Sequence, residues 1–100
     1  MEEPTRSTFV GEEIDVRLEG EPGQPARLVW RGEEHAVGEI ISRWQKLEMG
    51  KRPWYSRRHR DYYVVRVESG RIFELYRHRG PGKRYWVLLR ELHHGDASGP

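Results

Sequence analysis

The stretch that decides the fold is DYYVVRVESGRIFELYRHRGPGKRYWVLLREL, residues 61–92. It contains three apolar runs, DYYVVRVE, RIFELYRH and RYWVLLREL, which are separated by Ser69-Gly70 and by RGPGK. Runs of this length, rich in Val, Ile and Tyr and bounded by Gly and Pro, are typical of β-strands joined by hairpin loops. The stretch therefore predicts a three-stranded antiparallel meander.

Two sets of apolar side chains alternate along this meander. One face is predicted to carry Tyr63, Val65, Val67, Phe73, Leu75, Trp86 and Leu88. The other is predicted to carry Tyr62, Val64, Ile72, Tyr76, Tyr85, Val87 and Leu89. Because both faces are apolar, we expect that neither is left open to water. The sheet should curl into a small barrel or be covered by strands from the N-terminal half.

The N-terminal half also begins with strand patterns. Residues 13–19, EIDVRLE, alternate between apolar and charged side chains and predict a half-buried strand. GEPGQP at 20–25 predicts a turn, and ARLVWR at 26–31 predicts a second strand. We place a tight hairpin turn at Gly32-Glu33 after it.

Residues 36–48 are ambiguous. Val37, Ile40, Ile41, Trp44 and Leu47 have helical spacing, so a short helix over 38–48 is one interpretation. Gly38 and the paired β-branched isoleucines favour the other, a long strand with a bulge near Gly38 that presents Ile40 and Trp44.

The sequence thus predicts an all-β fold, an antiparallel meander of about five or six strands that forms a small barrel or a strongly curled sheet. One hundred residues fit a single domain over 1–100, with an ordered core at about 9–92 and frayed termini at 1–8 and 93–100. The chain is 35% hydrophobic and 34% charged, so the core must be small and rich in aromatic rings. Trp30, Trp44 and Trp86 are expected in it.

Several classes of protein are disfavoured. The chain has no cysteine, which excludes a disulfide scaffold and a thiolate metal site. No apolar run approaches the roughly 20 residues of a membrane span, and MEEPTRSTFVGEE is not a signal peptide, so we expect a cytoplasmic protein with no membrane partner. No nucleophile, base and orienting group are placed together, and HHGD at 93–96 is a poor ligand set. We therefore expect no enzymatic activity, no cofactor and no metal.

The formal net charge of +2 is unevenly placed along the chain. Residues 1–21 carry seven acids and two bases, whereas residues 43–60 carry seven bases against Glu48 alone. Residues 77–84 add four bases without an acid. Such asymmetry indicates a polyanionic partner, or an acidic N-terminal segment that covers the basic face of the same chain.

The basic segment KRPWYSRRHR, residues 51–60, interleaves five Lys or Arg with Trp54-Tyr55. A polyanion would relieve the repulsion between these charges, and the rings could stack on bases. The alternatives are a solvated loop and a Trp54 that folds back to cap the barrel. With the basic hairpin at 77–84 lining the same groove, the predicted nucleic-acid-binding residues are Lys51, Arg52, Trp54, Tyr55, Arg57, Arg58, Arg60, Arg77, Arg79, Lys83 and Arg84.

Residues 25–44, PARLVWRGEEHAVGEIISRW, resemble a small bacterial all-β domain of unknown function. The shared pattern consists of Pro25, Trp30-Arg31-Gly32, Val37, Ile40 and Trp44, and the strands YYVVRV, FELY and YWVL extend the resemblance over roughly 24–92. That family occurs alone and with DNA-polymerase-like proteins of DNA repair. The resemblance implies a link to DNA handling by association and supplies no catalytic residue.

The predicted function is therefore a non-catalytic accessory domain that binds DNA or RNA through phosphate contacts and stacking, with a DNA-polymerase-like repair protein as a further partner. The alternative is a protein-interaction module that docks a larger partner through an edge strand and the aromatic loop. Salt separates the two, because phosphate binding weakens steeply with ionic strength. The sequence does not define the oligomeric state.

Overall fold

The computed structural model describes residues 6–47, 59–80 and 83–93, and these form six β-strands. The strands are β1 (Arg6–Glu19), β2 (Gln24–Trp30), β3 (Glu33–Leu47), β4 (His59–Val67), β5 (Ile72–Gly80) and β6 (Lys83–His93). Each pairs antiparallel with the next, and β1 also pairs with β6, so the sheet closes into a barrel. The prediction of a small all-β barrel is confirmed. No part of the chain that the structure describes forms a helix that could cross a membrane.

The ambiguous segment is a strand. β3 pairs with β2 between Trp30↔Glu33 and Arg27↔Ala36, and with β4 from Val37 onward. The predicted bulge near Gly38 is present as a shift of register between Val37 and Glu39. The helical interpretation was wrong. Side chains of β3 pack against those of the neighbouring strands, and this tertiary packing outweighs the helical spacing of the apolar residues.

Two strands, β1 and β3, pair with different neighbours along their length. β1 pairs with β6 as far as Ile14↔Trp86 and with β2 from Asp15 onward, and β3 passes in the same way from β2 to β4. A bulge lies in the first part of each strand, at Gly11 in β1 and at Gly38 in β3. Bulges of this kind bend a strand, so one strand can turn from one sheet into another.

The core lies between the inner faces of these strands. Its fully buried side chains are Phe73, Leu28, Leu75, Leu88 and Val65. The inner face of the meander is the one predicted, since all seven of its residues belong to the core cluster. Each large apolar side chain stabilises the fold by about 1.5–3 kcal/mol when buried. The rings of Trp30 and His35 pack edge-on against Phe73, with centroids 5.8 and 5.7 Å away.

The turn between β2 and β3 lies at Arg31-Gly32, one residue before the predicted position. Both residues have positive φ, 53° and 80°, as a two-residue type I′ hairpin turn requires. The predicted Gly32-Glu33 turn was wrong. It would require a positive φ at Glu33, whereas the observed turn places Gly32 at the second turn position, where glycine adopts a positive φ without strain. The Arg31 guanidinium lies 4.8 Å from the Trp30 ring centroid and bonds to Glu12. The predicted turn at Ser69-Gly70 is confirmed, with the Gly70 amide donating to the Val67 carbonyl at 2.8 Å.

The strands extend slightly further than predicted. β1 begins at Arg6 and β6 ends at His93, and these two residues are partners in the ladder. The Thr8 hydroxyl lies 3.1 Å from His93 Nε2. Residues 6–8 and His93, which were expected to fray, are therefore paired.

One predicted core residue lies outside. Trp86 is buried and Trp30 packs against the core, but Trp44 is 43% exposed. The reason is a second shift of register in β3, between Ile40 and Ser42. The extra residue inverts the in-out alternation, so Ile40 points into the barrel whereas Trp44 points away from it.

Candidate nucleic-acid interface

Four strands continue past the closed part of the barrel as a projecting sheet, which we call the extension. It consists of residues 43–47, 59–62, 76–80 and 83–85. In this region β3 pairs only with β4, and β6 only with β5. The reason is that the pairing of β1 with β6 ends at Trp86, and that of β2 with β3 ends at Ala36.

A row of aromatic rings crosses the outer face of the extension. The register places Trp44 opposite Tyr62, Tyr62 opposite Tyr76, and Tyr76 opposite Val87. These positions alternate with the core residues of the same strands, so they face away from the barrel interior. Trp44 and Tyr62 stack with centroids 5.2 Å apart and an interplanar angle of 2°, and Tyr76 follows 5.5 Å from Tyr62.

A second row lies beside the first and carries positive charge. It runs from Lys46 through Arg60 and His78 to Tyr85. The Arg60 guanidinium lies 4.8 Å from the Tyr76 ring centroid, and its Nη1 donates to the Tyr62 hydroxyl at 3.4 Å. Arg60 thus links the cationic row to the aromatic row.

The electrostatics of these two rows are coupled. The hydrogen bond to Tyr62 raises the pKa of Arg60 above its ordinary value, which keeps the guanidinium charged. Burial raises the pKa of Tyr76, although the nearby charge of Arg60 acts in the opposite direction. The face therefore presents neutral phenol rings beside fixed cations.

The rings differ in how far a ligand could reach them. Trp44 is 43% exposed, whereas Tyr62 beneath it is only 8% exposed. Tyr62 therefore supports the indole, and Trp44 is the ring that a planar group from solution could cover. Proteins that bind single-stranded nucleic acids present a flat aromatic surface next to cations. The bases stack on the rings and the phosphates contact the cations.

The inner face of the extension carries a different set of charges. Arg77 and Arg79 follow Phe73 and Leu75 at alternate positions of β5 and so point inward. Arg79 Nε lies 2.8 Å from Asp61 Oδ2, which neutralises this guanidinium. Arg77 lies 5.9 Å from the ring centroid of Trp86. The two arginines are thus on the face opposite to Arg60, rather than beside it in one groove.

A cleft of about 390 Å³ opens along β3 and β4 at the same end. It is lined by Arg43, Trp44, Gln45, Asp61, Tyr62 and Tyr63. Gln45 Nε2 donates to Asp61 Oδ1 at 3.2 Å, so this carboxylate already serves both Gln45 and Arg79. Arg43 forms no ion pair with any other described residue, which makes it a cation available to a ligand.

Charge is unevenly distributed between the extension and the N-terminal strands. The extension contains seven Lys or Arg and a single acid, Asp61, whereas residues 6–42 contain eight acids and four arginines. In the barrel, five arginines pair with acids, as Arg71 does with Glu91 at 2.9 Å, and these are Arg27, Arg31, Arg66, Arg71 and Arg90. The positive potential is therefore concentrated at the extension.

The predicted site residues are only partly described by the structure. Lys51, Arg52, Trp54, Tyr55, Arg57 and Arg58 lie outside the described residues, and their role stays a prediction. Lys83 and Arg84 begin β6, within the extension. Arg60 lies on the outer face, and Arg77 and Arg79 lie on the inner face.

Sequence reasoning missed three residues of the aromatic row, Trp44, Tyr62 and Tyr76. A signal existed for the two tyrosines, which were assigned to the second face of the meander. Trp44 had no such signal, because the bulge that turns it outward is not visible in the apolar pattern. Among the residues that the structure describes, no three His, Cys, Asp or Glu side chains converge as metal ligands.

A family model described as a domain of unknown function, DUF6504, matches residues 1–93. The chain belongs to this family, which agrees with the resemblance to a small domain of unknown function. No curated protein and no solved structure matches the chain.

Proposed function

We propose that this member of the DUF6504 family binds single-stranded nucleic acid on the outer face of its extension. The observation that carries the proposal is the aromatic row beside Lys46 and Arg60, in which Trp44 stacks on Tyr62 and Tyr76 lies tilted next to Tyr62. The domain acts without catalysis, as an accessory to a larger DNA-handling machine.

Stacking supplies the first part of the interaction. A base of the bound strand lies on the exposed indole of Trp44, which Tyr62 holds from below. A stacked base contributes about 1–3 kcal/mol to binding and does so for every type of base. The interaction is therefore expected to favour single strands, whose bases are free to stack, over duplexes.

Phosphate contact supplies the second part. Lys46 and Arg60 lie in the row next to the rings, so a strand that stacks on Trp44 passes its backbone along these cations. Each phosphate contact releases condensed counterions and adds about 0.7 to the salt slope of single-strand binding. Contacts of this kind position the strand but do not read its sequence.

The third part of the proposal concerns the biological setting of this binding. The resemblance of residues 25–44 to a domain found with DNA-polymerase-like repair proteins supports a role in bacterial DNA repair or replication, in the cytoplasm. Such a polymerase-like protein is the proposed protein partner. The basic residues of 51–58 are proposed to add phosphate contacts to those of the extension.

Fluorescence anisotropy with a labelled single-stranded oligonucleotide, measured at two salt concentrations, tests the proposal. Trp44→Ala should weaken binding by about 1–3 kcal/mol, and Lys46→Ala with Arg60→Ala should also lower the salt slope. Val29→Ala and Arg6→Ala are matched controls, because both side chains are exposed, Val29 lies in β2, and Arg6 pairs with His93 at the end of β6 opposite to the extension. The proposal is wrong if the parent protein binds no oligonucleotide at low salt, or if the controls lose as much affinity as the variants.

A further inference from the structure

One edge of β3 has no partner strand in the described part of the chain. The last pair between β2 and β3 is Arg27↔Ala36, and from Val37 to Leu47 β3 pairs with β4 alone. In an antiparallel strand, alternate residues direct their N–H and C=O groups to opposite sides. The side of β3 that faces away from β4 therefore offers main-chain donors and acceptors to an added strand.

An apolar groove adjoins the start of this edge. At Gln24–Ala26, β2 pairs only with β1 and diverges from β3, and a groove of about 380 Å³ opens between them. Pro25, Ala26, Val37 and Ile40 form its apolar part, and Glu19, Gln24, Gly38 and Glu39 complete the lining. The groove can receive an apolar side chain from a strand that lies along β3.

A cationic depression adjoins the other end of the same edge. It is the cleft lined by Arg43, Trp44, Gln45, Asp61, Tyr62 and Tyr63, in which Asp61 pairs with Arg79 and Arg43 forms no ion pair with any described residue. Val37 at the groove and Arg43 at the cleft pair with Val67 and Tyr63 of β4, which are four residues apart, so the two depressions are separated by roughly 13 Å at the rise of an extended strand. Two depressions at this spacing along one free edge suit the alternate side chains of a single extended peptide.

We propose that a segment of a partner protein adds to the β3 edge as a seventh strand. Its main chain pairs with β3, one apolar side chain fills the groove at Ala26, and an acidic side chain about four positions away contacts Arg43. The cleft at its Arg43 end is also lined by Trp44 and Tyr62, but the pairing edge and the groove lie apart from the aromatic row, and the occupant goes beyond the function proposed above.

The charges and the shape of the edge disfavour a second copy of this chain as the occupant. Two β3 strands side by side would bring Arg43 and Lys46 of one copy against those of the other, and opposed like charges destabilise a strand pair. The bulges at Gly38 and Ile41 also make the edge irregular, which hinders edge-to-edge association. An acidic extended peptide avoids the repulsion at Arg43 and, because it has no fixed fold, can follow the bulged edge.

Panning of a display library of random twelve-residue peptides against the full chain tests the proposal. Enriched peptides should carry an apolar residue about four positions from Asp or Glu within a strand-forming pattern. Arg43→Glu should weaken their binding about tenfold or more, and replacement of the peptide acid by Lys should restore it. Arg6→Glu is the matched control, since Arg6 is an exposed arginine in the part of β1 that pairs with the end of β6, away from this edge, and should leave binding unchanged.

Two further measurements locate the site. In amide NMR spectra, an enriched peptide should shift the resonances of 38–47 more than those of β5, and Ala26→Phe should abolish binding while the far-UV spectrum stays that of the parent. The proposal is overturned if no peptide is enriched, if Arg43→Glu binds as the parent does, or if the shifts lie away from β3. It is also overturned if light scattering shows a dimer that Arg43→Glu disrupts, because a second copy then occupies the edge.

Discussion

Four strands run through both the closed barrel and the extension, but the side chains of these strands have different environments in the two regions. In the barrel, Phe73 and Leu75 are fully buried on the inner face of β5. Further along the same strand, Tyr76 on the outer face packs beside Tyr62, and Arg79 pairs with Asp61. Burial on one face stabilises the fold, and the part of the sheet beyond the core is free to present rings and cations to a ligand.

The arginines of the two regions make the same point. In the barrel, Arg31 and Arg71 pair with Glu12 and Glu91, so their charges are neutralised within the protein. On the outer face of the extension, Arg60 lies on an aromatic ring and meets no acid in the described residues. A cation on a ring keeps its charge available to a phosphate, which a cation paired with a carboxylate does not.

The largest effect should come from the barrel core. Phe73→Ala removes a fully buried ring that contacts Trp30 and His35, and should lower the free energy of unfolding by about 3–5 kcal/mol. This is a large part of the 5–15 kcal/mol that is typical of small domains. Urea denaturation followed by circular dichroism measures it. A loss below about 1 kcal/mol would mean that the core is not centred on Phe73.

A smaller effect should come from the bulge of β1. Gly11 has a φ of 65°, and a Cβ there would lie 2.5 Å from Cζ of Phe9. The Phe9 ring is 72% exposed and can move aside, so the backbone conformation sets the cost of Gly11→Ala, about 1–2 kcal/mol. Gly38→Ala is the control, because its Cβ would meet Arg66 O at an ordinary 3.6 Å. Equal urea midpoints for the two variants would show that the β1 bulge does not need glycine.

Removal of an aromatic ring should cost less stability in the extension than in the barrel. Trp44→Ala removes a ring that is 43% exposed and touches Tyr62, so the free energy of unfolding should change by less than about 1 kcal/mol. The same urea experiment as for Phe73→Ala provides the measurement. If the two variants unfold at similar urea concentrations, the extension is part of the stabilising core and the distinction between the regions fails.

Acid should weaken the barrel. The hydrogen bonds from Arg71 hold the pKa of Glu91 below its ordinary value, and Arg31 does the same for Glu12. The unfolded chain therefore binds these protons more readily, so stability is lost as the pH falls below about 4.5 through the lowered pKa values. Arg71→Gln should destabilise the protein at pH 7 and have less effect at pH 2, as urea midpoints at both values would show. An equal effect at both pH values would argue against this ion pair.

Alkali should act on the extension, with the smallest effect. Burial raises the pKa of Tyr76 above that of the unfolded chain, so the folded state favours the protonated phenol. Its contribution to stability is present below pH 10 and is lost as the pH rises through the raised pKa. Tyr76→Phe should flatten the fall of the urea midpoint between pH 9 and pH 11.5, and Tyr85→Phe serves as the comparison. No difference between the two variants would remove Tyr76 as the source.

The alternation of side chains determined the core face of the meander by itself. Tyr63, Val65 and Val67 repeat at every second position, and a strand buries every second side chain. This pattern is local, so no knowledge of the partner strands is needed to read it. The same alternation continues past Leu75 and could have shown that Arg77 and Arg79 lie on the inner face, apart from Arg60.

Only the tertiary structure decided where Trp44 lies and which rings meet. The bulge at Ile41 lies within the pairing of β3 with β4, and its one extra residue moves every later side chain of β3 to the opposite face. The contact of Trp44 with Tyr62 follows from that register. Sequence alone determined the amount of positive charge and its place along the chain. The face on which each charge and ring lies depends on strand pairing between distant residues, which no local pattern encodes.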